Sequence, residues 1–412
     1  MSAVPAAASE FDVAIVGGGM VGASLAAALR GTGLTTLLVE GVPFASAAQP
    51  SFDERTTALG NASRRIFEGL SLWGELADDA SPIRAIHVSE AGGFGFARLI
   101  AREQGIDAFG YVLANRALGA ALWRHLEAAP DVTLAVPARC EALEITPAAV
   151  HFTLQAPGGA RGVRARLLVG ADGAQSQVRA AAGIAADVAD YAQVAVVANV
   201  TSDQPHEGWA FERFTASGPL AVLPLTGAAR AVIWALAPEA AQDLLAQSDA
   251  GYLAALQRTF GWRAGRFLKV SRRASYELKL TRARSPTGTR SVLIGNAAQA
   301  LHPVAGQGFN LGLRDAAMLA EVLAASRADP GAPAVLERFA AWRARDRGGV
   351  VRFTDGLVRL FGDRRPGFSL LRNLGLLLFD ATPPAKSSLA RVSIGFAGPS
   401  PRLARGLPVR HA

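Results

Sequence analysis

The sequence predicts an α/β fold (α+β overall): a Rossmann-like dinucleotide-binding domain, an antiparallel β-sheet domain and a C-terminal helical segment. Three observations carry this. Phe11–Val16 reads as an apolar strand, Gly17-Gly18-Gly19-Met20-Val21-Gly22 follows at once, and a helix pattern leads to a second strand, Thr35–Val39, that ends at Glu40. Between residues 186 and 280, the alternating runs Val194–Val200, Gly208–Thr215, Leu220–Pro224 and Ala229–Leu236 read as an antiparallel sheet. Ser291–Glu321 then gives a strand, a loop rich in Gly, Pro and Asn, and a helix pattern over Leu311–Ala324.

Each glycine of the first motif has a physical task. Gly17 makes the tight turn, Gly19 admits a pyrophosphate to the backbone, and Gly22 lets helix and strand pack closely. Glu40, at the end of the next strand, can accept ribose hydroxyls. This frame predicts dinucleotide binding without separating FAD from NAD. In the second glycine-rich loop, Gly306 and Gly308 allow a ligand to approach backbone N–H groups at a helix start, where the helix dipole favours an anion or a strongly polar edge.

With 412 residues, half of them apolar, the chain is long enough for two domains sharing one cleft. The expected division is a dinucleotide-binding domain in three pieces (1–79, 101–185, 281–345), a sheet domain in two (80–100, 186–280) and a helical region (346–412). The formal charge of +8 is carried almost wholly by arginine, Lys269, Lys279 and Lys386 being the only lysines. It fits either genome base composition or anionic partners such as a cofactor phosphate or lipid headgroups. No basic stretch interleaved with aromatics points to nucleic acid. Cys140 is the single cysteine, which excludes a disulfide framework and a zinc-type cluster.

In chain order, Val132–Val136, Cys140–Thr146 and His151–Gln155 read as a small antiparallel group, with His151 a sheet residue that receives no role. Arg166–Arg179 reads as a strand ending at Gly170, followed by an Asp172-Gly173 turn into a helix. Few ionisable residues interrupt the alternating runs after 186, so their pocket should favour an apolar ligand.

Gly295–Asn310 resembles the second flavin-binding motif of the single-component FAD-dependent aromatic hydroxylases. The string Gly306-Gln307-Gly308-Phe309-Asn310-Leu311-Gly312 is closest to the ubiquinone-biosynthesis (UbiH/VisC) branch. Gly295-Asn296-Ala297-Ala298-Gln299 replaces the branch's common Gly-Asp-Ala-Ala-His and is similar to the 2-polyprenyl-6-methoxyphenol hydroxylase (UbiH-like) subgroup. Gly170-Ala171-Asp172-Gly173 and the piece Trp209–Phe214 also resemble the branch, as does the tail with Pro383-Pro384-Ala385-Lys386, so the likeness covers nearly the whole chain.

The resemblance implies FAD as cofactor, NADH or NADPH as transient reductant, and transfer of one oxygen from O2, activated at flavin C4a, to a polyprenylated phenol. It places Arg55 on the flavin side, Arg116 against the FAD phosphates, and Asp172 and Asn296 on the ribityl chain. Gly306, Gln307, Gly308 and Asn310 would then lie near flavin N1. A solvated helix-start residue is the competing reading for each arginine. His302, next to Pro303, is the candidate for shuttling the phenol proton, against a loop-packing role. A non-catalytic flavin-fold subunit of an assembly of other quinone-biosynthesis proteins and an isoprenoid reductase are the rival functions.

Leu357–Phe379 mixes Leu and Phe clusters with Arg359, Arg364, Arg365 and Arg372, as either a membrane-surface helix or a packing interface requires. Met1–Glu10 lacks the features of a signal peptide and no run of eighteen apolar residues occurs, so the expectation is a cytoplasmic protein peripheral to the inner face of the membrane.

Overall fold

The computed structural model describes residues 10–44, 46, 49, 51, 55–301, 306–344, 368–387 and 400–409. Its centre is a run of five parallel strands in the order Ser291–Leu293, Gly159–Gly170, Glu10–Val16, Thr36–Val39, Val132–Ala135. Val13, Ala14 and Ile15 are fully buried because both faces of this sheet are covered, which is why Phe11–Val16 reads as a continuous apolar run. The helices Met20–Leu29, Asn115–Glu127 and Gln307–Ala324 contribute to the core on one face. The antiparallel strands Arg139–Ile145 and Val150–Ala156 cover the other.

One expectation is corrected here. Val132–Ala135 pairs parallel with Thr36–Val39 instead of joining the small antiparallel group. That group is completed by the first half of the long strand Gly159–Gly170, where residues 159–165 pair antiparallel with residues 150–156. The second half, 164–170, pairs parallel with residues 10–16, so one strand serves both arrangements.

The second sheet runs Gln299–Ala300, Ala274–Ala283, Ala186–Ser202, Ala229–Leu236, Gly218–Pro224, Trp209–Thr215, Ala85–Glu90, Phe96–Ile100. All its pairings are antiparallel except that of Trp209–Thr215 with Ala85–Glu90. Strands from 85–100 and 186–283 therefore share one sheet, although residues 101–185, which build mainly the other sheet, lie between them. Helices Pro238–Ala246 and Asp249–Phe260 close its outer face through Tyr252, Leu256 and Phe260. Its inner face looks onto a large cavity.

The helix Phe368–Asp380 lies against the outer strand Phe96–Ile100 of this sheet. Its seat is the glycine-rich turn before that strand. An added Cβ at Gly93 or Gly95 would stand 2.3 Å from Asn373 atoms. Residues 357–367, the first half of the predicted surface segment, lie outside the described residues, as do His302 and Pro303. Among the described residues no helix is long and apolar enough to cross a membrane.

Candidate active site

Three chain segments converge at the C-terminal edge of the parallel strands, where open α/β sheets bind ligands. In the first, Gly17 has φ +103° and an added Cβ would lie 2.5 Å from the Ala171 carbonyl oxygen, so only glycine fits. A Cβ on Gly22 would fall 1.9 Å from the Gly17 oxygen, which fixes how closely helix Met20–Leu29 starts against the turn. The Gly18 N–H donates to Glu40 Oε2 at 2.7 Å, and the Val42 N–H donates to Glu40 Oε1 at 2.8 Å. Glu40 is thus held rigidly on the cavity wall, with acceptor lone pairs to spare for hydroxyl donors.

The second segment is Gly170–Arg179. Both Asp172 oxygens are engaged, Oδ1 accepting from the Ser176 hydroxyl at 2.5 Å and Oδ2 from the Val178 N–H at 3.1 Å. Ser176 in turn accepts from the Arg179 N–H at 3.0 Å and caps the short helix. Arg179 then donates to the Ala297 carbonyl at 2.9 Å and ties this segment to the third.

In the third, Ser291–Leu293 leads into Gly295–Ala297, and the side chain of Asn296 is exposed toward the cavity. The Gly295 N–H donates to Asp315 at 3.0 Å, and Asp315 is paired with the fully buried Arg343. Gly306 (φ +61°) starts the helix Gln307–Ala324, with no side chain capping it, so its first N–H groups face the cavity without intrahelical partners. A Cβ on Gly308 would meet nothing within 4 Å, which leaves open space where a ligand edge can approach.

Asn310 does something sequence reasoning did not assign. Its Oδ1 accepts from the Gly60 N–H at 2.8 Å and the Ser63 hydroxyl at 2.6 Å. Its Nδ2 donates to the Ala58 carbonyl at 2.7 Å and the Gly306 carbonyl at 2.6 Å. The amide is fully used, so Asn310 locks the Gly306 loop onto the strand Thr56–Gly60. Arg116 is exposed at its helix start and is not among the cavity-lining residues; its neighbour Asn115 is, and accepts from the Thr57 hydroxyl at 2.6 Å. Arg55 does line the cavity, its guanidinium 4.4 Å from the centre of the Tyr276 ring. The Gln307 side chain lies outside what is described.

One cavity of about 1720 Å³ joins all of this to the second sheet. At the far end its wall is Ile86, Val88, Leu99, Ala221, Leu223 and Ile233, with Leu376 and Phe379 of the Phe368–Asp380 helix alongside. Cys140 in the wall is a neutral thiol, pushed up to about 12 by burial and then by the nearby Asp172 charge. It is no nucleophile. Among the described residues no cluster of His, Cys, Asp and Glu could hold a metal. Glu212 also lines the cavity, and burial raises its carboxyl to about 7. Sequence reasoning passed over it; a lone acid in an alternating apolar strand was the available signal.

The sequence matches the FAD binding domain family over residues 10–354. The chain belongs to that family. It is 38% identical over 404 residues to the ubiquinone hydroxylase UbiL of Rhodospirillum rubrum, covering 97% of this chain and 93% of the relative. It is 32% identical over 393 residues to the 3-demethoxyubiquinol 3-hydroxylase of Escherichia coli, covering 93% and 98%. The p-nitrophenol 4-monooxygenase PnpA of Pseudomonas putida shares the fold with a TM-score of 0.78 at 20% identity, over 94% of this chain and 99% of that one. The protein is an FAD-dependent monooxygenase of the aromatic hydroxylase type. The open space at Gly308, the helix-start N–H groups beside it and the side-chain-free approach at Gly17–Gly19 fit an elongated ligand with a phosphate-bearing middle and a polar ring edge, as FAD has.

Proposed function

We propose that this FAD-dependent hydroxylase adds oxygen to the aromatic ring of a polyprenylated phenol in ubiquinone biosynthesis, with NADH or NADPH as reductant and O2 as co-substrate. The observation that carries the reading is the continuity of one cavity from the Gly17–Gly22 turn to the apolar face of the second sheet. A cofactor held at one end would present its reactive ring to a greasy substrate lying along the other. The hydroxylase relatives in ubiquinone synthesis support the substrate class.

In this reading Gly17 and Gly19 would admit the pyrophosphate, and Glu40 would take the ribose hydroxyls. Asn296 would hydrogen-bond the ribityl chain, with Asp172 holding the turn beside it. The backbone at Gly306–Gly308 would stabilise negative charge at the flavin N1 edge, as oriented donors do. Arg55 would stand on the flavin side. When bound and reduced, FAD supplies the activation of O2. The chain's own part is to orient the ring, keep the cavity dry through the apolar sheet face, and manage the substrate's proton.

A polyprenyl tail is nearly insoluble in water, so we also propose delivery from a membrane surface. Leu370, Leu371, Leu374 and Leu378 are each at least half exposed along one stripe of the Phe368–Asp380 helix, while Leu371 and Leu376 line the cavity. An apolar surface therefore adjoins the substrate end directly. Restoration of quinone synthesis in a strain lacking one ring hydroxylase tests the assignment; failure to restore any of the ring hydroxylations, with soluble FAD-loaded protein present, would overturn it.

A further inference from the structure

On the strand Trp209–Thr215 the alternate residues Ala210, Glu212 and Phe214 line the cavity, with Phe211 also reaching its edge. Glu212 lies opposite Ala221 on one neighbouring strand and Val88 on the other, so apolar side chains surround it. No hydrogen bond or ion pair ties its carboxyl to another described residue. Two other acids on this sheet differ: Glu90, opposite Phe214 on the neighbouring strand, is paired with Arg372 and accepts from Asn373, and Glu277 is exposed and bonded to Lys279 at 2.7 Å. A carboxyl kept half-buried and unpaired inside an apolar wall is costly to a fold unless something it binds makes use of it.

We propose that Glu212 receives the ring hydroxyl of the substrate, accepting its hydrogen bond and then its proton. This deepens the phenol-hydroxylase reading and rests on it. The phenolic O–H bond breaks as a carboxyl O–H bond forms, and the freed electron pair enriches the ring for attack. The attacked ring carbon gains a hydroxyl, with one oxygen of O2, and sheds its hydrogen as a proton; NAD(P)H supplies the electrons that convert the other oxygen to water. Glu212 returns its proton to the first ring oxygen as the ring regains aromaticity. Glu212 is then a catalytic residue, and the apolar wall beside it holds the tail.

The charges around Glu212 do not interfere with this role. Val88 and Ala221 carry none, and His87 and Arg213 alternate to the outer face of the same strands. Glu90, two residues beyond Val88, is neutralised by its pair with Arg372; Arg55, Glu277 and Lys279 also line the cavity, yet the shift at Glu212 has burial as its sole cause. With a carboxyl titrating near 7, the acceptor form is available at neutral pH.

The test compares the FAD-loaded parent with Glu212→Gln and Glu212→Asp, using 2-allylphenol and its methyl ether as probes. Binding is read from the flavin absorbance change. The parent should prefer the phenol by about ten-fold, the strength of a charge-assisted hydrogen bond. Glu212→Gln should bind phenol and ether equally and lose the rise in kcat/KM centred near pH 7. Glu212→Asp should keep that rise with a weaker preference, which a merely structural role would not produce. Retention of both the preference and the pH inflection in Glu212→Gln overturns the proposal. Should Glu212→Gln fail to load FAD, an Asp variant without the inflection overturns it instead. If the parent itself adds no oxygen to the ring, the hydroxylase reading has failed rather than the role of Glu212.

Discussion

Glycine at position 19 is the residue on which cofactor loading turns most simply. Its missing side chain leaves the turn open, and even one carbon there would stand 2.9 Å from the Ser51 hydroxyl. Gly19→Val should therefore purify colourless or nearly so, measured as flavin absorbance per chain, whereas Gly308→Ala, with no protein atom in its way, should lose affinity only if FAD uses that space. Glu212 gives a second prediction. Its folded-state value lies above that of an unfolded glutamate, so the protein binds an extra proton when folded. Stability from this group is full below about pH 4.5 and is lost as pH rises through about 7. Glu212→Gln removes the loss, so in thermal unfolding it should be more stable than the parent at pH 8 by about 1–3 kcal/mol, water in the cavity softening the effect. The two should converge at pH 4. Equal melting at both pH values would contradict the burial argument. At this scale the sequence made the Gly17 turn and the close packing at Gly22 legible, because backbone sterics leave few alternatives there. It did not reveal Asn310 as a lock, since its four partners come from 58–63 and 306, segments about 250 residues apart. Nor did it reveal Glu212, since alternation does not say which face of a strand meets a cavity.

Among the elements, the helix Phe368–Asp380 combines both of the chemistries its sequence offered. The arginines of Leu357–Phe379 were open to two readings, lipid headgroups or a packing interface, and Arg372 takes the second. Its side chain is buried and paired with Glu90, which also accepts from Asn373 Nδ2 at 2.7 Å. Arg372→Gln should thus act through packing: breaking one partner of a buried pair costs about 3–5 kcal/mol, seen as lowered thermal stability. The apolar stripe is a separate matter. Replacing Leu370, Leu374 and Leu378 with Gln should weaken binding to anionic vesicles and lower activity on a long-chain substrate. FAD content and activity on a soluble short-chain phenol should hold, because none of the three lines the cavity. Unchanged vesicle binding would make the stripe a protein contact. Periodicity showed this helix and its two chemistries but could not say which arginine turns inward. That depends on the Gly93–Gly95 seat, formed by chain almost 280 residues earlier. The misplaced Val132–Ala135 has the same cause: a short apolar strand carries no mark of its partner.

For the whole molecule, the account stands on two sheets enclosing one space. Much of the parallel sheet was legible because Phe11–Val16, the end of Gly159–Gly170 and Ser291–Leu293 are apolar runs that each lead into a turn containing glycine. The second sheet was legible from alternation alone. That the two share a cavity was carried by resemblance rather than by any pattern in the residues, since closure depends on the three-stranded link of Thr56–Gly60, Gly110–Ala114 and Ser81–Ile83. The central claim is that a cofactor at one end of this space delivers oxygen to a phenol at the other. The most direct measurement is the mass of the product formed from a short-chain prenylated phenol by FAD-loaded protein with NADPH under heavy-isotope O2. The account predicts a ring product heavier by one isotopically labelled oxygen. NADPH oxidation that leaves the phenol unchanged, or a product that has gained two hydrogens and no oxygen, would contradict it.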